Sequence, residues 1–239
     1  MNAGMMAVAD IRVGDVSIEV VRKHIKNINL SIHPPAGRVR ISAPAHMELE
    51  AIRSFAQSKL GWIRKHRTRM RSLERVAPRV YQSGETHVYL GRPYTLKVMD
   101  HQSRSGVTAT GGILKVRLRG RASPTRTKQI VTVWLRARLR ELGWEYITKW
   151  EPVLGVRINE LGIRAMKTRW GTCNARAGRI WLNLELIKKP SDCVEYLVVH
   201  EMAHLHIRGH GRDFKALMDR HVPGWKRFRQ ILNKTPLRS

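Results

Sequence analysis

Alternation of apolar and polar residues predicts two groups of β-strands in the first half of the chain. The first group is VSIEVV, INLSIH and RVRISA, at residues 16–21, 28–33 and 38–43. Turn-prone residues such as Pro34-Pro35-Ala36-Gly37 separate them, which favours a small antiparallel meander. The second group lies at residues 86–90, 94–98 and 113–118 and is punctuated by glycines. Between the two groups, apolar residues recur at helical spacing over 48–72, which predicts one helix.

The second half begins with a different signal, a long helix. Ser123-Pro124 has the form of a helix start, with a capping hydroxyl followed by proline. We expect the helix to reach about Trp150, with Ile130, Trp134, Ala137, Leu142, Tyr146 and Trp150 in its core stripe. Strands are then expected at 156–163, 166–173 and 180–186. In the last of these, Ile180, Leu182, Leu184 and Leu186 share the core face, while Trp181, Asn183 and Glu185 share the other.

These elements predict an α+β protein of two parts, with a boundary near Gly120. Residues 1–121 would form a β-rich N-terminal module with one long helix, and residues 122–239 a second compact domain. A helix after Pro190 would pack on the small sheet, which we expect to be antiparallel.

Composition limits the function classes without choosing among them. The 239 residues include 45 Lys and Arg against 18 Asp and Glu, a formal net charge of +27, and only two cysteines. No stretch resembles a membrane span or signal peptide, and nothing indicates a disulfide framework, so we expect a cytoplasmic protein. The basic residues are spread along the chain, although 62–75 is dense in them. They favour either a solvated arginine-rich surface or a surface for nucleic acid or another acidic partner.

The chemistry of the chain is concentrated in HEMAHLHIRGH, residues 200–210. His200 and His204 are four residues apart, so on a helix they project side by side and can ligate one Zn²⁺. In an H-E-x-x-H helix the adjacent carboxylate, here Glu201, serves as general base toward a zinc-activated water. The segment therefore predicts a hydrolytic metal centre.

Zinc of this kind needs a third protein ligand and keeps the fourth position open. His206 would lie on the opposite side of the helix, whereas Gly209 permits a left-handed turn that brings His210 back. His200, His204 and His210 are thus the predicted metal ligands. A purely structural zinc site, or histidines that are merely solvated, are the alternatives. The ligand spacing also matches metzincins, but Ile207 stands where they place glycine and no Met-turn signal follows.

The order of several short motifs along the chain indicates a more specific family resemblance. WGTC (170–173) precedes RIWLNLELIKKP (179–190), EYLVVHEMAHL (195–205) and HGRDF (210–214). This order resembles the YgjP-like metallopeptidase family (domain of unknown function 45), which is related to SprT-like and WLM zinc proteases. The resemblance is strong over about 160–228 and looser over the N-terminal half. Thr172 stands where that family usually has Ser.

The resemblance implies a zincin-like zinc metallopeptidase domain over residues 122–239, with ligands His200, His204 and His210 and Glu201 as general base and acid. It implies a structural or cleft-lining role for WGTC. Its substrate would be a peptide or protein. Alternatives are a DNA-associated SprT-like protease, a non-catalytic zinc-stabilised nucleic-acid-binding protein, and a non-peptide amidase.

Other residues near these motifs receive individual expectations. We expect Trp170 and Trp181 to be core or rim aromatics, Cys173 to be a packed thiol, and Phe214 to anchor the segment after His210. Asn183 and Glu185 would border the cleft. Tyr196, Arg169 and His206 are the candidates for stabilising the oxyanion.

Overall fold

The chain divides into two units at a different place from the one that the sequence predicted. The computed structural model describes residues 6–33, 37–74, 79–102, 104–234 and 237. Contacts divide the chain into an N-terminal unit, 1–78, and a C-terminal unit, 79–239, whereas the predicted boundary was 121/122. The second group of strands belongs to the C-terminal unit because Leu96, Leu114 and Leu118 share one buried core with the long helix.

The N-terminal unit is a four-stranded sheet with two helices. Its elements are β1 (Met6–Val13), β2 (Val16–Lys23), β3 (Asn29–His33), β4 (Arg38–Pro44), α1 (Leu49–Ser58) and α2 (Leu60–Glu74). The sheet order is β1-β2-β4-β3, and β2 runs parallel to β4. The predicted antiparallel meander is therefore wrong, because β2 pairs with β1 through a tight turn at Gly14 instead of with β3. Residues 34–36 of the predicted turn lie outside the described residues.

The predicted helix over 48–72 is two helices that meet at Lys59. Ile52, Ala56 and Ile63 from these helices are fully buried against Ile18 and Ile41 of the sheet. The side chains of 69–75, which belong to the basic stretch, lie outside the described part of the chain.

The C-terminal unit contains two small sheets around two central helices. Its elements are β5 (Thr86–Tyr89), β6 (Arg92–His101), β7 (Gly106–Thr110), β8 (Ile113–Arg119), α3 (Pro124–Leu154), β9 (Glu160–Arg164), β10 (Gly171–Asn174), β11 (Arg179–Asn183), a 3-10 helix (Leu184–Lys188), α4 (Ser191–Ala203), α5 (Arg212–His221) and α6 (Trp225–Lys234). One sheet has the order β5-β6-β8-β7 and the other β10-β11-β9. With the N-terminal unit, this confirms the α+β class.

Helix α3 starts where the sequence predicted but buries a neighbouring stripe. The hydroxyl of Ser123 accepts a hydrogen bond from the backbone N–H of Arg126, and Gly155 ends the helix in the left-handed conformation. The buried positions are Thr127, Val131, Leu135, Leu139, Gly143 and Ile147. Of the predicted stripe, Ala137 is exposed and the others are half-buried. Gly143 explains the shift, because a Cβ there would lie 2.7 Å from Cδ2 of Leu161, so the helix meets β9 at this glycine.

The sheet beside α4 is mixed, whereas the sequence predicted an antiparallel one. Strand β10 pairs antiparallel with β11, but β11 pairs parallel with β9. The predicted strand over 180–186 ends at Asn183, whose side chain accepts a hydrogen bond from the backbone N–H of Glu185 and starts the 3-10 helix. The alternation had suggested that Asn183 borders the cleft. This prediction is wrong, because Asn183 is fully buried.

His87 in β5 is a buried histidine that should make the stability of the fold depend on pH. The residue is 2% exposed, and its Nε2 lies 3.3 Å from Oε2 of Glu85. Burial and then Arg79 lower the pKa of His87, and Glu85 opposes them. The unfolded chain therefore binds this proton at a higher pH than the folded chain. The contribution of neutral His87 to the free energy of unfolding is therefore complete above the usual histidine pKa of about 6.5. It declines as the pH falls below that value.

We expect His87→Gln to flatten this decline. Urea unfolding from pH 8 to pH 5 should give a shallower fall in the free energy of unfolding for the variant. The difference between the two slopes should approach at most about 1.4 kcal/mol per pH unit. Exposed His206→Gln is the matched control. Equal slopes for wild type and His87→Gln would contradict the assignment.

In the part of the chain that the structure describes, no helix combines the length and the apolar character needed to cross a membrane.

Candidate active site

Helix α4 carries the H-E-x-x-H sequence through the core of the C-terminal unit. Most of its residues are buried, because apolar side chains occupy nearly every side of it. The carboxylate of Glu195 fixes it against α3, accepting hydrogen bonds from Lys149 Nζ at 2.7 Å and Trp150 Nε1 at 2.9 Å. The helix ends at Ala203, and Gly209 adopts a φ of 80° in the segment that follows. His210 is thereby returned toward α4.

The three histidines predicted as ligands lie together. His200, His204 and His210 each offer a ring nitrogen, and these atoms all lie within 4.8 Å of one another. The Nε2 atoms of His200 and His210 are 3.1 Å apart. Phe214, which is 1% exposed, contacts all three imidazoles, with its ring stacked on His204 at a centroid distance of 5.2 Å. The ring therefore holds the segment after His210 against α4, the anchoring role that the sequence suggested.

The surroundings of the three imidazoles orient one ring and lower the pKa of the other two. Nδ1 of His204 donates to the carbonyl of Ile207 at 3.0 Å, because a carbonyl can only accept. This leaves Nε2 of His204 with its lone pair. Burial, aided by the neighbouring histidines, lowers the pKa of His200 to about 3, and burial also lowers the pKa of His210. Neutral imidazoles are the form that binds metals.

Glu201 is a buried carboxyl group beside this cluster. It is 5% exposed, and burial raises its pKa to about 8, while the charge of Arg169 opposes the rise. The raised pKa makes the ionised form of Glu201 a stronger proton acceptor than an exposed carboxylate. Three converging imidazoles and one proton acceptor form the arrangement that the sequence predicted.

Comparison with protein-family models gives a match that spans most of the chain. The family model described as "YgjP-like, metallopeptidase domain" matches residues 26–235. The chain belongs to the YgjP-like metallopeptidase family. As a YgjP-like metallopeptidase it is an enzyme that acts on peptides or proteins, and its family implies a divalent metal.

Two solved structures also match over part of the chain. One is the metallopeptidase zymogen of Pyrococcus abyssi abylysin, at 22% identity and a TM-score of 0.34, covering 40% of this chain and 93% of that one. The other is the metallopeptidase zymogen of Methanocaldococcus jannaschii jannalysin, at 17% identity and a TM-score of 0.34, covering 40% of this chain and 95% of that one. None of the curated proteins compared with the chain matches it.

The remaining candidates for chemistry in this YgjP-like metallopeptidase occupy different places. The exposed His206 turns its Nε2 toward the carbonyl of Gly155, 3.4 Å away at the end of α3. The hydroxyl of Tyr196 lies 3.4 Å from Nδ1 of His200. Burial, followed by the charge of Glu201, raises the pKa of Cys173 to about 11, so its thiol stays protonated. That thiol is a poor metal ligand.

Trp170 and Trp181 are both packed against neighbouring residues. The Trp181 ring lies on Gly162, where a Cβ would be 2.3 Å from the ring, and Arg164 stacks over it at 4.7 Å. Trp170 is half-buried at the mouth of the site, with Lys189 Nζ 5.7 Å from its ring centroid. Trp170 is therefore a rim aromatic of the cleft, whereas Trp181 packs on the sheet and is not part of the described cleft lining.

Asn183, which the sequence placed at the border of the cleft, and Gly171 of WGTC both hold the site in shape. Asn183 donates from its side chain to the carbonyls of Met166 and Arg169, each at 2.8 Å, and so fixes the loop before β10. Gly171 begins β10 directly against Glu201, and a Cβ there would lie 2.5 Å from Oε1 of that carboxylate. Gly171 therefore leaves the space that Glu201 fills. The only sequence signal for it is the glycine of WGTC.

We expect Gly171→Ala to move the Glu201 carboxylate and to reduce peptide cleavage by about 100-fold, since misplacement by about 1 Å can cost this much. The protein should remain folded and bind metal with unchanged stoichiometry. Gly106→Ala is the control, because a Cβ there would meet only the tip of Arg117 at 4.0 Å. Turnover rates of the three proteins on one peptide provide the measurement. Full activity in Gly171→Ala would show that the position of Glu201 is not restricted in this way.

A cleft of about 220 Å³ opens beside these residues. Its lining includes His200, Glu201, Arg169, Trp170, Gly171, Tyr196 and Arg229. Larger cavities of about 480 and 610 Å³ lie on the N-terminal unit, but their described linings contain no histidine. Strand β10, which borders the cleft through Gly171, is an edge strand that pairs only with β11. The cleft thus has His200 and the Glu201 carboxyl group in its lining, with an open strand edge nearby, and His210 lines the adjoining cavity.

Proposed function

We propose that the protein is a zinc-dependent peptidase in which His200, His204 and His210 bind the metal and Glu201 is the general base. The observation that carries this proposal is the approach of the three imidazoles to within 4.8 Å of one another, beside a buried glutamate. A solvated histidine helix would give no reason for that convergence. A structural zinc site would give no reason for the cleft or for the buried carboxyl group.

The donor set fits zinc. Neutral imidazoles are preferred zinc ligands, and three of them leave a position free for water, as in catalytic zinc sites. Nε2 of His200 and Nε2 of His210 are 3.1 Å apart, close to the roughly 3.3 Å that separates two nitrogen ligands of one tetrahedral zinc ion. The hydrogen bond from Nδ1 of His204 to the Ile207 carbonyl is the outer contact that commonly orients such a ligand.

Glu201 moves the proton in the proposed reaction. When bound, zinc lowers the pKa of a coordinated water and polarises the scissile carbonyl. Glu201 accepts a proton from the attacking water as the carbon–oxygen bond forms. It then donates this proton to the amine nitrogen as the carbon–nitrogen bond breaks. Its high proton affinity suits both steps.

The substrate would lie along the edge of β10. An extended peptide can add to an exposed strand edge through backbone hydrogen bonds. Because Gly171 of this strand contacts Glu201, a peptide bound there would pass close to the carboxylate. Main-chain pairing of this kind is compatible with many substrate sequences.

Zinc content and casein cleavage test the proposal together. Elemental analysis of the full chain should give one zinc per protein, and the zinc-loaded protein should cleave casein. Removal of zinc with a chelator should abolish cleavage, and added zinc should restore it. Cleavage that persists after complete zinc removal would contradict the proposal.

The net charge of +27 motivates a further arm of this experiment with single-stranded DNA. A DNA-associated protease should bind the DNA with an affinity that falls steeply as salt rises. Its casein cleavage should also increase when DNA is present. Cleavage independent of DNA would favour a peptidase that acts without nucleic acid.

A further inference from the structure

The cleft beside Glu201 is lined by two arginines that form no salt bridge with any carboxylate of the described residues. Arg169 comes from the loop before β10 and Arg229 from α6, and both line the 220 Å³ cavity. An adjoining cavity of about 130 Å³ is lined by Arg229 and Lys215. Glu201 is the only acidic residue in the described lining of either cavity. Among the described residues, neither guanidinium group makes a hydrogen bond or an ion pair.

Arg229 is held in place without being neutralised. Its guanidinium lies 6.0 Å from the ring centroid of Trp225, within the range of a cation–π contact. Asp219 is engaged elsewhere, because its Oδ1 accepts from Trp225 Nε1 at 2.8 Å and lies 3.9 Å from Nζ of Lys226. Arg229 therefore presents its positive charge to the cleft.

Both arginines share a cavity lining with groups proposed for catalysis. Arg169 and Arg229 line the 220 Å³ cavity together with His200 and Glu201, and Arg229 lines the adjoining cavity together with His200 and His210. A substrate whose peptide bond reaches these groups would bring its neighbouring residues to the two guanidinium groups. Guanidinium forks bind carboxylates in a bidentate manner, whereas they gain less from a neutral amide.

We propose that Arg169 and Arg229 recognise a carboxylate of the peptide, so that cleavage is favoured near an acidic residue or near a free chain end. This inference rests on the proposed peptidase function. It concerns which peptides are cleaved, whereas the histidines and Glu201 concern how they are cleaved. The carboxylate of an Asp or Glu side chain and that of a C-terminus share the same chemistry.

A defined peptide pool distinguishes these two sources. The zinc-loaded full chain would be incubated with peptides that differ only in Glu or Gln at each position, each with a free or an amidated C-terminus. Mass spectrometry of the products gives relative kcat/KM values. We expect peptides with the recognised carboxylate to be cleaved about tenfold faster than their neutral counterparts, as an exposed charge-assisted contact allows. A Glu over Gln preference identifies a side-chain carboxylate, and a free over amidated preference identifies a chain end.

Variants assign the preference to the arginines. Arg169→Gln and Arg229→Gln should each bring the ratio of kcat/KM values toward one. Arg227→Gln, on the same helix but outside both cavity linings, should keep the wild-type ratio. High salt should reduce the ratio, because exposed charges are screened.

Binding provides a readout without turnover. The Glu201→Gln variant would be titrated with a short Glu peptide and its Gln counterpart, using the fluorescence of Trp170 and Trp225. Tighter binding of the Glu peptide, lost in a double variant with Arg229→Gln, is expected if a side-chain carboxylate is recognised. If a chain end is recognised instead, the peptide with a free C-terminus should bind more tightly than the same peptide with an amidated C-terminus.

Three outcomes would overturn the inference. Equal cleavage of charged and neutral peptides by wild type refutes carboxylate recognition while leaving the peptidase function intact. A preference that survives in both arginine variants refutes the assignment to these residues. Absence of cleavage for every peptide in the pool refutes the proposed function and this inference with it.

Discussion

Replacement of Glu201 by Gln is expected to lower peptide cleavage by about 10³-fold, the usual contribution of a positioned general acid–base group. The amide has nearly the same shape as the carboxylic acid, so the packing against Gly171 should be preserved. It cannot take the proton of the attacking water. The metal should remain, because the three imidazoles are unchanged. Turnover on a fixed peptide and zinc content on the same sample provide the measurement.

Glu195→Gln is the matched control for this change. It alters the same side chain on the same helix, at a carboxylate that contacts Lys149 and Trp150 instead of the cleft. We expect it to retain most of the activity and all of the zinc. If Glu201→Gln cleaves as fast as Glu195→Gln, Glu201 is not the base.

Replacement of His204 by Ala should remove both metal and activity. Zinc affinity should fall by more than the 10–100-fold that follows removal of a residue hydrogen-bonded to a metal ligand. The reason is that this change removes one of the three proposed ligands itself. Phe214 would lose its stacking partner, but the apolar residues of α4 should keep the helix in place. Zinc titration with a competing chelator gives the affinity, and circular dichroism shows whether the fold persists.

His206→Ala is the control, because this exposed histidine faces the end of α3. It should bind one zinc with wild-type affinity. Circular dichroism of His204→Ala and of metal-free wild type also distinguishes a catalytic zinc site from a structural one. A structural site predicts that His204→Ala and metal-free wild type unfold. Retention of zinc at wild-type affinity by His204→Ala would contradict the proposed ligand set.

The local features of this molecule were predictable from sequence because neighbouring residues determine them. Helical spacing places His200 beside His204, and a glycine with positive φ at 209 returns His210 to them. Ser123 likewise marks the start of α3, whereas the helix continues past the predicted end at Trp150 to Gly155. These signals require only backbone geometry and side-chain period, both of which can be read from a short window.

The features that were missed depend on partners distant in sequence. The parallel pairing of β2 with β4 follows from where β1 pairs, and alternation within a strand does not specify its neighbour. The buried stripe of α3 is set by the close approach of Gly143 to Leu161. Arg229 reaches the cleft from α6, and no motif around it indicates this position.

The most direct test of the proposed mechanism is hydrolysis in water enriched in ¹⁸O. A proteome-derived peptide library would be treated with zinc-loaded wild type and with Glu201→Gln, and the products would be analysed by mass spectrometry. The account predicts new carboxyl termini that carry ¹⁸O in the wild-type digest and almost none with the variant. Equal labelling in the two digests, or no new termini with zinc-loaded wild type, would contradict it.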